Sequence, residues 1–452
     1  MLVPRKLLFF FCLILLFTAT SALAEPYEHP YPEALQISVE TEARQTDTAV
    51  EIDVSIPVTS NEAVNSALRT ASDALYAQML SYTGCRIDMM AAYRVSGTKW
   101  AGFLLTGRAV ALTESDEDTY VSEDTEALVY DVQTYDMETG EALTLADVFA
   151  NGSSAWVMIE DAARTLLYGY YPDEMHDEEA LEAMITPEAL QSCAFLPSAG
   201  RLLVPFSLQA ILPDHKQIVY LVLPYPDYRP LMCAQAKLQT DNSSRPMICL
   251  TLDDGPNRVY TQAVLEGLAS YGASATFFCV GRSVSMQPDL VRREMDYGNT
   301  VGAHSMTHAD PWEQTHEEML NEYDEQKQLF EDVTGVAVIL FRPPGGDLKT
   351  FVTRQIGWPL IKWNKSGSDT GNDKAKDVAR RVINQAAHGD IFLMHDIKEK
   401  TADAIPLILS ALQERGYMFA TVDELLYLNG ITPQPNVGYY DGLGEKTYSK
   451  DE

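Results

Sequence analysis

From residue 247 onward the chain alternates short apolar runs with amphipathic stretches, and few architectures accept that order. The apolar runs cover residues 247–252, 275–280, 300–303, 338–341, 360–363, 391–394 and 417–421, with amphipathic stretches such as 259–271, 317–333 and 377–388 between them. Short apolar runs separated by helix-period segments read as βα units, which lay successive strands parallel. The fold class that follows is α/β, its sheet either open or closed into a barrel. In such folds the chemistry collects at the carboxyl ends of the strands.

A polar break, Thr240-Asp241-Asn242-Ser243-Ser244-Arg245-Pro246, precedes this half, and residues 241–246 read as a linker. Upstream, residues 25–240 have another texture. Residues 35–43 and 48–57 alternate apolar and polar side chains as half-buried strands do, and a helical stretch spans 61–82. The run 127–135 leads into a Glu138-Thr139-Gly140-Glu141 turn that suggests a hairpin. Helical stretches at 155–168 and 177–184 precede strand-like runs at 201–205 and 217–222. This is an α+β module, with room for two subdomains and no chemical constellation of its own.

At the amino terminus, Arg5 and Lys6 stand before an apolar run from 7 to 17, and small residues end at Ala22-Leu23-Ala24. That order reads as a secretory signal over residues 1–24. The run is short of the roughly 20 residues that a membrane span needs, so an uncleaved anchor is the lesser reading. Five of the six cysteines lie beyond residue 24, an odd and sparse set that does not describe a disulfide scaffold. The formal charge of -32 disfavours nucleic acid and anionic lipid as partners and suits a weakly charged substrate such as a glycan. The acidic stretch 116–126 reads as a solvated loop, and residues 431–452 as a loosely ordered tail.

The polar residues at the strand ends carry the chemistry. Asp253 and Asp254 close the first apolar run, His304 and His308 follow the third, Arg342 ends the fourth, Trp363 the fifth and His395 the sixth. Two histidines at i, i+4 and one carboxylate meet the ligand count of a hydrolytic metal site, which holds three protein ligands and keeps a position open. The second aspartate is then free to act as a base. Taken singly, Asp253-Asp254-Gly255-Pro256 is an ordinary turn and His395 an ordinary core histidine. Their convergence on one rim favours function.

These segments, in this order, resemble the polysaccharide deacetylases of the NodB-homology type, carbohydrate esterase family 4. Thr251-Leu252-Asp253-Asp254-Gly255-Pro256 matches T-F-D-D-G-P, His304-Ser305-Met306-Thr307-His308 matches H-[ST]-x-x-H, Arg342-Pro343-Pro344-Gly345-Gly346 matches R-x-P-[YFG]-G, and Leu393-Met394-His395 matches L-x-H. The resemblance implies a distorted (β/α)7 barrel over 247–430. It also implies a divalent metal on Asp254, His304 and His308, usually zinc, with cobalt or manganese as substitutes. It casts Asp253 as general base, His395 as general acid, Arg342 as the residue that orients Asp253, and the Gly345 N–H as oxyanion donor. Leu393 and Trp363 would line the substrate cleft. The family's D-x-x-D-W motif is altered here to Asn364-Lys365-Ser366-Gly367-Ser368-Asp369, and Asp369 is the candidate for orienting His395.

More diffusely, the stretches 130–149 and 196–224 are similar to the extracellular α+β modules that precede some bacterial peptidoglycan deacetylases, and to modules of envelope sensors that bind lysozyme. The resulting expectation is a secreted, wall-associated enzyme that removes N-acetyl groups from the N-acetylhexosamines of a glycan, peptidoglycan first. Chitin oligosaccharides and O-acetylated xylan remain open as substrates. The contrasting expectation is a non-catalytic envelope module that binds a glycan or lysozyme through its first half.

Overall fold

The computed structural model describes residues 32–45, 51–114, 121–169, 178–209, 212, 215–444 and 447–448. The expected signal at 1–24 and residues 116–120 of the acidic stretch lie outside the described residues, whereas 121–126 belong to the strand Val121–Asp136 instead of the expected solvated loop, because they pair with the end of Trp100–Glu114.

The upstream half opens with a six-stranded sheet whose strands lie in chain order. Three long antiparallel strands, Arg86–Ser96, Trp100–Glu114 and Val121–Asp136, form its body. The helix Glu62–Met79 buries Val64, Leu68, Leu75 and Met79, one apolar stripe at helical spacing. That stripe packs with Ile52, Val54, Phe103 and Leu105 of the sheet in one core. Helices Ala155–Gly169 and Pro187–Ser192 then cover a second antiparallel sheet of Leu196–Pro197, Arg201–Phe206 and Val219–Pro224. The α+β reading of this half holds, and the hairpin turn at 138–141 joins Val121–Asp136 to Ala142–Leu143.

In the second half, Thr300–Ala303, Thr276–Cys279, Met247–Asp253, Ile391–His395 and Lys365–Ser366 pair in that spatial order, all parallel. Single parallel bridges from Phe341 to Ala303 and to Leu360 carry the pairing onward. The bent segment from Leu360 to Ser366 brings it back to Ile391–His395, so the α/β sheet curls into a distorted barrel. The first strand is buried over its whole length, which explains why its sequence runs apolar instead of alternating.

Four expectations about elements need correction. The run 338–341 contributes only Phe341, bridged on both sides; Ile339 faces solvent, and Pro343 and Pro344, without an N–H, stop the ladder from extending past Arg342. The run 417–421 shrinks to Met418–Phe419, which pairs only with the amino end of Met247–Asp253. The tail is not loosely ordered where it is described: Gly438–Tyr439 pairs with Leu360–Ile361, and Tyr439 is buried. Nor is 241–246 a free tether. Asn242 is buried and donates to Ser96 Oγ and Ala199 O, each at 3.0 Å.

Buried polar contacts fasten the two halves. Arg108 Nη2 lies 2.5 Å from Asp296 Oδ2, with both side chains buried. The Ile218 N–H donates to Asp296 Oδ1 at 2.6 Å and the Tyr220 hydroxyl to Asp296 O at 2.7 Å. Arg94 donates to Tyr297 O, and Thr106 meets the Tyr297 hydroxyl. Among the described residues no helix is long and apolar enough to cross a membrane.

Candidate metal centre and catalytic rim

The carboxyl ends of the parallel strands set the residues of interest at one level. Asp253 is directly opposite His395 in the register of neighbouring strands, and Cys279 is opposite Ala303, so His304 is the first residue past its strand. Past these ends the backbone takes sparsely populated conformations. Asp254, Ser305 and His308 have φ of 75°, 59° and 57°, in the left-handed region where non-glycine residues are uncommon. Such backbone outliers gather where the surrounding structure fixes a functional geometry.

Asp254 Oδ1 is 3.5 Å from His304 Nε2 and 3.4 Å from His308 Nε2. Two donors each about 2.1 Å from a shared tetrahedral cation stand roughly 3.4 Å apart, so these separations suit one. Asp254 Oδ1 is buried without a hydrogen-bond partner, a costly state for a carboxylate oxygen unless something charged meets it. His304 Nδ1 is 2.7 Å from the Arg342 carbonyl, which can only accept. The ring proton therefore sits on Nδ1, and the Nε2 lone pair faces the cluster. Burial pushes the Asp254 carboxyl up, but the histidines around it, His304 foremost, hold it below the usual carboxylate range. Among the described residues, Asp254, His304 and His308 are the group able to hold a metal ion. The donor set fits a divalent cation with imidazole and carboxylate affinity.

Asp253 is beside this cluster, its Oδ2 3.8 Å from His304 Nε2. Arg342, fully buried, donates from Nη1 to Asp253 Oδ1 at 2.7 Å and to Thr251 Oγ1 at 2.6 Å. Its other nitrogens donate to the carbonyls of Ile361 and Lys362, and its guanidinium is over the rings of Phe278 and Trp363 at 4.2 and 5.5 Å. Burial depresses the guanidinium pKa, and Asp253 offsets part of that. A cation locked on every side can orient Asp253 Oδ1 while Oδ2 stays toward the cluster.

His395 is held by Asp369, which is buried. His395 Nδ1 lies 2.9 Å from Asp369 Oδ1, while Asp369 Oδ2 accepts the His395 backbone N–H and the Thr401 hydroxyl, each at 2.7 Å. Burial alone would lower the imidazole pKa, but the Asp369 contact and the charges of Asp253 and Asp254 raise it above the usual histidine range. Ser366 Oγ accepts the Ser368 N–H at 2.9 Å. Leu393 is half-buried and pairs with Thr251 and Ser366 across the strands. Trp363 packs by Gly346, where an added Cβ would come 2.6 Å from its ring, whereas a Cβ on Gly345 would meet nothing within 4 Å. The wall beside the site is therefore open at Gly345.

Sequence reading missed the residues that hold these groups from behind. Thr251 donates to Phe392 O and receives Arg342. Glu322, on the helix His316–Thr334, accepts the Met306 N–H at 3.2 Å and the Thr307 hydroxyl at 2.8 Å. Gln326 donates to Cys279 O and Ser305 O, each at 2.9 Å. A threonine within the first motif was a readable signal; Glu322, Gln326 and Thr401 carried none, since polar residues on a helix are ordinarily solvated.

A family model described as polysaccharide deacetylase matches residues 240–357. A peptidoglycan-N-acetylglucosamine deacetylase of Listeria monocytogenes is 38% identical over 178 residues, 39% of this chain, and the match spans 38% of that protein's length. A peptidoglycan-N-acetylglucosamine deacetylase of Bacillus cereus is 34% identical over 192 residues, 41% of this chain and 90% of that one. The solved peptidoglycan deacetylase PdaC of Bacillus subtilis is 32% identical, covers 42% of this chain and 94% of its own, and superposes with a TM-score of 0.41. With nearly the whole Bacillus cereus relative matched at that identity and the motifs gathered on one rim, the chain belongs to the polysaccharide deacetylase family.

Proposed function

We propose that the protein hydrolyses N-acetyl groups on the N-acetylhexosamines of a glycan, with bacterial peptidoglycan as substrate, after export from the cell, and that its metal is a single divalent cation, zinc first. The observation that carries this reading is the placement of two differently held proton-transfer groups, Asp253 on Arg342 and His395 on Asp369, in register on neighbouring strands beside the Asp254, His304 and His308 cluster. The names of the peptidoglycan-active relatives favour the substrate.

A cation held there supplies Lewis-acid charge that polarises an acyl carbonyl and acidifies water. Asp253 Oδ2 takes the proton of the attacking water while Arg342 keeps Oδ1 fixed. His395, with Nδ1 committed to Asp369, delivers a proton from Nε2 to the departing nitrogen, so the C–N bond breaks to leave acetate and a free amine. The Gly345 N–H serves the developing oxyanion, and Leu393 and Trp363 flank the acetyl group. Base and acid on separate strands let the two proton transfers occur on opposite sides of the reacting carbon.

The test is acetate release from purified peptidoglycan, chitopentaose and acetylxylan, with zinc added and with metal chelated. Chelator-sensitive release from peptidoglycan is expected. Release from acetylxylan alone would replace the substrate, and no release from any of the three by metal-loaded protein would overturn the activity.

A further inference from the structure

The amino end of the barrel, opposite the metal centre, holds a cleft of about 560 Å³ at the seam between the two halves. Its volume lies within the range of small-ligand sites. Buried Tyr225, Met247 and Leu425 give it apolar surface. Its charged lining is Arg229, Lys237 and Arg245 against Asp241 alone. Asp241 and Arg229 engage each other, Oδ2 accepting Arg229 at 2.7 Å while Arg229 also donates to Lys237 O, and Asp241 Oδ1 accepts the Ser243 hydroxyl at 2.6 Å, so the net positive charge of the lining is that of Lys237 and Arg245. In a chain with 65 acidic and 33 basic residues, such a lining inverts the global balance.

Two further features make the cleft preformed. Asn242 ties its wall to both Ser96 and Ala199, so the seam does not depend on a loose tether. The Met247 N–H donates to His388 Nδ1 at 3.0 Å, which puts that ring's proton on Nε2 and leaves the exposed imidazole a donor at the cleft. The lining thus offers guanidinium, ammonium and imidazole donors over an apolar floor. Charges more than about 10 Å away are largely screened, so inside the cleft the local cations dominate, whereas a long polyanion would run out over the acidic surface and be repelled there. A single oxyanion on a compact, partly apolar carrier suits that combination.

We infer that this cleft binds an oxyanion, phosphate or carboxylate, on a compact carrier, and so gives the protein an anion-binding site apart from the metal centre. Guanidinium groups recognise both anions through paired N–H donors. The inference does not rest on the proposed deacetylation.

Calorimetric titration of the whole protein with glycerol 3-phosphate and with N-acetylmuramic acid tests it. Binding of at least one at millimolar concentration is expected, unchanged by chelation and by Asp253→Asn. Lys237→Glu and Arg245→Glu should each weaken it by about tenfold or more, with Lys237→Arg retaining it. Binding of only the phosphate ester assigns phosphate, and of only the amino sugar assigns carboxylate. Failure of both to bind, or binding indifferent to Lys237→Glu and Arg245→Glu in variants with unchanged circular dichroism, would overturn the inference.

Discussion

At the scale of single residues, the two aspartates of Asp253-Asp254 are adjacent in sequence and divided in role by their partners. Asp253 is tied to Arg342, and Asp254 faces two imidazoles. Asp253→Asn should retain the metal and lose most turnover, whereas His304→Ala should lose the metal, both read by elemental analysis beside acetate release. A metal-free Asp253→Asn protein would mean the two aspartates exchange roles. His395 and Asp369 carry the pH dependence. The His395 pKa is raised in the fold, so the stability that this pair contributes is complete below about pH 6.5 and is lost as pH rises through the folded value. Burial works against the Asp369 carboxylate, yet the His395 and Thr401 contacts lower its pKa; its contribution is present above about pH 4 and lost on acidification through its folded value. Asp369→Asn should therefore move the alkaline limb of kcat/KM to lower pH and cut kcat by about 10²- to 10⁴-fold. An alkaline limb that stays in place would assign the proton to another donor.

At the scale of elements, the helix His316–Thr334 is defined locally and used remotely. Its start is a Thr315/Glu318 capping box and its end is Gly335 at φ 74°, features legible in sequence. Its inward groups Glu322 and Gln326 grip the loop that carries His304 and His308, the candidate metal ligands, beside the left-handed Ser305 and His308. Glu322→Ala should weaken metal affinity by about 10- to 100-fold in chelator competition, the usual cost of losing an outer partner of a metal site. Thr315→Ala, which removes only the cap, should cost about 1 kcal/mol of stability and leave metal affinity alone. Equal metal affinity in the Glu322 variant and the parent would reduce Glu322 to a surface acid.

At the scale of the molecule, the upstream module and the barrel share buried polar groups instead of a tether. Asp296 accepts Arg108, the Ile218 N–H and, at its carbonyl, the Tyr220 hydroxyl, all from the upstream half. Burial raises the Asp296 pKa, and Arg108 is the main counterweight. Arg108→Ala leaves that acid buried without its cation and should cost about 3–5 kcal/mol in denaturant unfolding. The parent protein should unfold in one transition through this seam. Two resolved transitions in the parent, with Arg108→Ala affecting neither, would show that the halves fold independently.

What the sequence determined by itself was whatever local patterns encode. The order of apolar runs specified a parallel α/β half behind an α+β half, and the spacing Asp253-Asp254, His304 to His308, Arg342 and His395 specified the residues that meet on the rim. Short-range rules suffice for these, because strand ends and ligand spacing are properties of adjacent residues. Tertiary structure alone decided the rest. The run 338–341 kept only Phe341 as a bridged residue, with Ile339 turned to solvent and Pro343 ending the ladder, and the tail acquired order because Leu360–Ile361 offered it an edge. Glu322, Gln326 and Thr401 became supports for the site, and Arg108 met Asp296, through contacts between residues far apart in the chain. Those outcomes depend on which polar group finds a partner once water is excluded, and no pattern of neighbouring residues states that in advance.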